Sequence, residues 1–160
     1  MINKAIIRYY YWGIFRELTR MPVFIRPYQA ADQEAVIALW QQVFPDTPAH
    51  NDPRLDIQRK LTVQPECFLI ALIEDRIVGT IMAGFDGHRG WVYYVAVLSE
   101  QRRQGIGQAL MTAAEQALAQ LGCRKINLQV RPDNNTVLAF YRGLGYAIEE
   151  RVSLGKRLDS

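Results

Sequence analysis

A chain of 160 residues, 49% apolar and 22% charged, can bury the core of one domain and is unlike a disordered, collagenous or repeat polymer. The net charge of +3 is carried entirely by Lys4, Arg8, Arg16 and Arg20 against Glu17, so residues 21–160 are formally neutral, which argues against a nucleic-acid partner. Cys67 and Cys123 are far apart and lack a His or Cys at metal-ligand spacing, so they read as reduced, core-packed thiols of a cytoplasmic protein without a metal.

The opening "MINKAIIRYYYWGIFRELTR" is basic, yet Arg8 interrupts its apolar run and no small-residue cleavage pattern follows. It reads neither as a signal peptide nor as the run of about 20 apolar residues a membrane span needs. Ile7, Tyr10 or Tyr11, Ile14 and Leu18 recur at helical spacing. Residues 1–20 therefore read as an extension, loosely ordered or an amphipathic helix, ahead of a domain over 21–160.

"VFIRPYQ" predicts a first strand before Pro27. From Asp32, the residues Ala35, Val36, Leu39, Trp40 and Val43 mark one helical face, stopped by "FPDTP". Asn51 or Asp52 can cap a short second helix with Pro53 at its start, where Leu55, Ile57 and Leu61 are loosely periodic. "CFLIALIE", "RIVGTIMAGF" and "WVYYVAVL", separated by short turns, predict an antiparallel meander. The last run is apolar at nearly every position, as in a strand covered on both faces. Ile106, Leu110, Ala114, Ala117 or Leu118, and Leu121 then predict a helix ending at Gly122. "KINLQV" alternates as a strand and completes a crossover to a parallel neighbour. "NNTVLAFYRGLGY" predicts another helix, and "YAIEERVSLGKRL" a returning strand. The sum is an α/β layered fold with a mixed sheet.

Between the meander and the long helix lies "QRRQGIGQAL". A helix start has unpaired N–H groups and partial positive charge, and Gly105 and Gly107 remove side chains that would keep an anion away. Arg102 and Arg103 add positive charge, although glycines and arginines here also suit an ordinary strand-to-helix turn. The spacing excludes two better-known phosphate loops: no Lys-Ser/Thr follows as in nucleoside-triphosphate loops, and Leu110 occupies the third small-residue position of a dinucleotide fingerprint.

What remains is R-x-x-G-x-G after the apolar Val95–Val97 run, followed by N-x-x-x-x-x-x-Y-x-x-x-G-[FY] at Asn134, Tyr141, Gly145 and Tyr146. Over residues 23–158 this resembles the GNAT superfamily of acyl-CoA-dependent N-acyltransferases. "NDP", "DGHRG", "YY" and "SLGKRL" look most like its YpeA-type bacterial branch. The resemblance implies a three-layer α/β fold: a mixed, mostly antiparallel sheet flanked by helices, with a central parallel pair splayed at the acyl-CoA site. It implies acetyl-CoA as donor, with its pyrophosphate on the backbone around Arg102, Arg103, Gln104, Gly105, Ile106, Gly107 and Gln108. The Val95, Ala96 and Val97 backbone would pair with the pantetheine arm, and the Val97 amide would stabilise the oxyanion. Asn134 would hydrogen-bond the pantetheine amides, with helix capping as its competing role. Tyr141, seven residues on and about 10 Å along the same face, would place its hydroxyl at the thioester sulfur as the acid, with aromatic packing as the alternative.

The general base is less legible. A lysine amine near pKa about 10.4 is neutral in roughly one molecule per two thousand at pH 7, an α-amine near about 7.8 in roughly one per seven. In related ribosomal-protein α-amine acetylases a glutamate stands five residues before the family asparagine; here that place is Gln129, which cannot accept a proton. Asp86 and His88 in "FDGHRG", and Glu74 at a strand end, are the remaining base or acceptor-site candidates. Tyr93 and Tyr94 alternate across the strand, so one would line the acceptor groove and the other pack on a helix. Two functions follow: an N-acetyltransferase acting on a primary amine of a small molecule or peptide, or a noncatalytic acyl-CoA sensor or interaction module. The sequence leaves the oligomeric state open, a homodimer included.

Overall fold

Strand β1 (Phe24–Pro27) ends at its proline and lies at a sheet edge, where the missing N–H costs no ladder bond to a neighbour. The computed structural model describes residues 21–48 and 51–158, so the alternatives read for residues 1–20 lie outside the described residues. After β1 come β2 (Phe68–Ile73), β3 (Arg76–Phe85), β4 (Gly90–Val97) and β5 (Ile126–Asn127), hydrogen-bonded in chain order. The first three pairings are antiparallel and β4–β5 is parallel. The β2–β3 hairpin turns on Glu74 and Asp75, whose positive φ values of 47° and 61° suit a tight two-residue turn.

Helix α1 (Gln33–Val43) follows a short turn fixed by Asp32, which accepts both guanidinium nitrogens of Arg26 and the Gln29 N–H. Helix α2 (Pro53–Leu61) is capped by Asp52, whose carboxylate accepts the N–H groups of Arg54 and Leu55, with Pro53 in the first turn. Of its loosely periodic apolar residues only Ile57 is buried, while Leu55 and Leu61 are exposed. Helix α3 (Ile106–Gln120) buries Ile106, Leu110, Met111, Ala114 and Leu118, and the chain leaves it through Gly122 at φ 85°.

Two neighbouring residues of β3 show how the layers stack. A Cβ on Gly79 would stand 3.0 Å from Leu110 of α3, whereas the hydroxyl of Thr80 accepts the Trp40 indole N–H of α1 at 2.8 Å. Successive strand residues face opposite sides, so α1 and α3 cover opposite faces. The α1 side is aromatic: Trp40 packs on Phe68 of β2 at 6.0 Å, and Phe68 stacks on Tyr28 at 4.6 Å. Such pairs contribute about 0.5–1.5 kcal/mol each beyond their buried area.

The chain divides into two compact units, up to Leu128 and from Gln129 to Ser160. The second contains α4 (Asn135–Gly143). Two strand expectations are corrected. "KINLQV" pairs only at Ile126 and Asn127, and residues 146–158 form no strand, leaving Ile148, Val152, Leu154 and Leu158 exposed. Alternating apolar residues are a property of sequence, but a strand exists only where a neighbour completes its ladder. The parallel pair consequently closes one side of the sheet, with β5 at its edge.

Candidate active site

Strand β4 carries an irregularity in its middle. Thr80 pairs with Ala96 and Met82 with Tyr93, so the single residue Ile81 opposes both Tyr94 and Val95. This is a bulge with one extra residue on β4, and Tyr94 takes the left-handed conformation at φ 50°. For an aromatic residue that conformation costs about 1–3 kcal/mol, so the surroundings must fix it. They do so through the ring and the main chain. The Tyr94 ring stacks on Trp40 at 4.0 Å and meets Phe44 edge-on at 5.8 Å. Its carbonyl accepts the Thr80 hydroxyl at 3.0 Å, and its own hydroxyl donates to Asp56 of α2 at 2.6 Å. Burial and the Asp56 carboxylate both push the Tyr94 phenol well above its ordinary value, so it stays a donor.

The bulge corrects the expectation that Tyr93 and Tyr94 alternate. Met82 lies two residues from Thr80 and shares its face, which places Tyr93 on the α1 side, where Tyr94 also packs. Tyr94 is held against the helix, while Tyr93 is 54% exposed and stacks on Trp91.

The other feature of β4 is its free edge. Pairing with β5 covers only Gly90 and Trp91, so among the described residues β4 has no strand partner on that side from Val92 to Val97. The Leu98 N–H donates to Val78 at 2.9 Å on the β3 side. Main-chain groups of successive residues point to opposite edges, so those of Val97 point to the open one. There the Val97 carbonyl accepts Nε of Arg102 at 3.2 Å.

Beyond this edge the chain enters α3 through Arg103 and Gly105, at φ 60° and 80°. Gly105 is the N-cap residue and offers no side-chain acceptor. The first bond closing back is from the Ala109 N–H to the Gly105 carbonyl at 2.9 Å. The α3 start thus presents main-chain donors and the positive end of a 15-residue helix without a protein cap. Arg102 and Arg103 are exposed, and Gln104 is tied to Gln101. A groove of about 570 Å³ reaches this turn at Gln104 and Gly105 and runs along α3 against Met21, Pro22 and Val23. Its lining contains no residue of β4.

In the second unit, Asn134 caps α4: its side-chain oxygen accepts the Val137 N–H at 3.2 Å. The competing role weighed for this residue is thus a real one, and its amide nitrogen is not used by the cap. Tyr141 is buried between edge-on contacts with Phe140 and Tyr146, and burial pushes its phenol up to about 12.

The sequence of the whole region matches the Acetyltransferase (GNAT) family over residues 33–146. The chain belongs to the GNAT acetyltransferase family. It is 44% identical over 134 residues to an acetyltransferase of Yersinia enterocolitica, covering 84% of this chain and 94% of that one. An acetyltransferase of Pectobacterium atrosepticum is 45% identical over 134 residues, with the same coverage. Among solved structures it resembles Ard1 from Thermoplasma volcanium, at TM-score 0.69 and 26% identity over 79% of this chain and 84% of that one. The aminoglycoside acetyltransferase AAC(6')-Iy, solved with a CoA-containing bisubstrate analogue, has TM-score 0.73 and 20% identity over 85% of this chain and 98% of that one, a likeness of fold.

For a GNAT acetyltransferase, the base candidates read from sequence are scattered. Asp86 is exposed and accepts the N–H groups of His88 and Arg89 at 2.7 Å, bonds that hold its carboxyl below the usual range and mark it as a turn residue. Asp86 and His88 precede the start of β4, whereas the glycine turn follows its end, about 23 Å away along an eight-residue strand. Glu74 is exposed at the tip of the β2–β3 hairpin. Gln129 donates to the Ser153 hydroxyl. Sequence reasoning passed over Asp56. A lone Asp within a helix carries no local signal of a role, and here Tyr94 of the bulged strand donates to it.

Proposed function

We propose that this GNAT acetyltransferase uses acetyl-CoA to acetylate a primary amine of a small molecule or peptide by direct attack on the thioester. The observation that carries this reading is the open Val92–Val97 edge of β4 leading into an uncapped helix start. An extended thioester arm can add to such an edge by main-chain hydrogen bonds, while a diphosphate neutralises the donors at the helix start. In this reading the amides of Arg103–Gln108 hold the pyrophosphate, and Val95 and Val97 pair with the pantetheine. In the second unit Asn134 keeps an amide nitrogen outside its cap for a pantetheine carbonyl, and in the first the Val97 N–H stabilises the oxyanion. We also read "NDP", "DGHRG" and "SLGKRL" as placing the chain in the YpeA-type branch.

Energetics refine the role of Tyr141. A full proton transfer from a phenol at about 12 to a thiolate whose thiol lies near about 8.5 is uphill by about 5 kcal/mol. Tyr141 therefore acts as a hydrogen-bond donor to the sulfur as charge develops there; the adduct nitrogen gives up one proton to water as the C–S bond breaks, and the thiolate takes one proton from water, so the transfer balances. The amine must arrive neutral, its proton lost to water.

The test is direct. Purified protein with labelled acetyl-CoA and an amine and peptide panel releases CoA and yields a labelled amide, detected by mass spectrometry. Binding of CoA without any labelled product would overturn the reading.

A further inference from the structure

We infer that Asp56 anchors a cationic group of the acceptor other than the nitrogen that is acetylated, so the preferred substrate carries at least two basic nitrogens. This rests on the acetyl-transfer reading and adds the substrate class to it. The Asp56 carboxylate is held at the bulge, because Tyr94 donates to its Oδ2 at 2.6 Å from a fixed, left-handed backbone. Its side chain is 23% exposed, sheltered yet reachable. Oδ1 faces the Arg59 guanidinium at 3.6 Å, too long for a hydrogen bond, and Arg59 is itself 71% exposed, so that pair is loose and screened. A substrate ammonium can displace it. Exposed Tyr93, on the same face, offers an aromatic surface to the carbon chain or to the cation.

The carboxylate is poorly suited to the reacting nitrogen. An opposite charge favours the ionised form of an amine, so an ammonium paired with the Asp56 carboxylate is held protonated. Attack requires the neutral amine. A second ammonium on the same molecule is attracted to Asp56 without that penalty, leaving the first nitrogen free to lose its proton to water at the β4 edge.

The experiment is calorimetric titration of diaminobutane and of butylamine into the CoA-loaded full chain, with Asp56→Asn and Asp56→Glu beside the unaltered protein. Asparagine keeps an oxygen for the Tyr94 hydroxyl and removes only the charge. The unaltered protein is expected to bind diaminobutane about 10- to 100-fold tighter than butylamine, the range of a hydrogen bond to a charged group. Asp56→Asn erases the preference and Asp56→Glu restores part of it. With acetyl-CoA present the loss appears in the KM for the diamine rather than in kcat. Equal affinity for the two amines in the unaltered protein, or an unchanged preference in Asp56→Asn, overturns the inference. A preference that depends on Asp56 without release of CoA upholds the anchor and overturns acetyl transfer instead.

Discussion

Thr80 is a single hydroxyl that serves two elements. It accepts from Trp40 of α1 and donates to the carbonyl of Tyr94 in the bulge, while fully buried. Thr80→Val keeps the shape and strands both partners, the buried Trp40 indole N–H and the part-buried Tyr94 carbonyl. The expected loss is about 2–4 kcal/mol in denaturant unfolding, with most of it recovered in Thr80→Ser. Tyr141 makes a different prediction. Without its hydroxyl, Tyr141→Phe is expected to lose about 10- to 100-fold in kcat, the worth of a hydrogen bond to developing charge rather than of a full acid. Affinity for CoA should change little. Because burial raises its phenol to about 12, its stabilisation is complete below the ordinary tyrosine value of about 10 and is lost as pH rises from there through about 12. An alkaline fall in kcat below pH about 10 therefore belongs to another group, and Tyr141→Phe should leave that limb in place.

At the level of elements, the Arg26–Asp32 pair fastens β1 to the turn that starts α1. The bond from Arg26, and secondarily the Gln29 N–H, holds the Asp32 carboxyl below its usual range, against burial, which raises it. A lowered carboxyl stabilises the fold at pH above about 3.9, and that contribution is lost as pH falls through the folded value. Asp32→Asn should lower the melting temperature at neutral pH and flatten its fall in acid, measured by thermal melts from pH 7 downward. The α3 start gives a second test. Valine at Gly105 would combine a β-branched side chain with φ 80° and set methyl groups over the helix donors. Gly105→Val is expected to weaken CoA binding at least about tenfold, because hydrogen bonds to a charged group contribute about 1.5–3 kcal/mol each. Helices α1 and α3 were legible because a 3.6-residue apolar period meets a local stop, "FPDTP" after α1 and Gly122 after α3, whereas α2 was legible mainly from Asp52 and Pro53 at its start. The last two strands were not, since pairing depends on a neighbour that the local pattern does not encode.

For the whole molecule, a ligand that binds the folded chain alone must raise its melting temperature. At about 100-fold excess over the dissociation constant CoA should add about 2.7 kcal/mol, or about 5–10 °C, by differential scanning calorimetry. The shift should fall to about half or less in Gly105→Val at the same CoA concentration, and its absence in the unaltered protein would remove the basis of the proposed reaction. Family, helices and the glycine turn were determined by the sequence itself, because R-x-x-G-x-G and the Asn134–Tyr141 spacing are local patterns whose order along the chain suffices. Tertiary structure alone decided that β4 bulges, that Tyr93 and Tyr94 share a face, that β5 stops after Asn127, and that Asp56 meets Tyr94. The physical reason is common to all four. Each depends on which residues of distant segments stand opposite one another, and one inserted residue in β4 redirects the side chains beside it while leaving the apolar pattern of the strand unchanged.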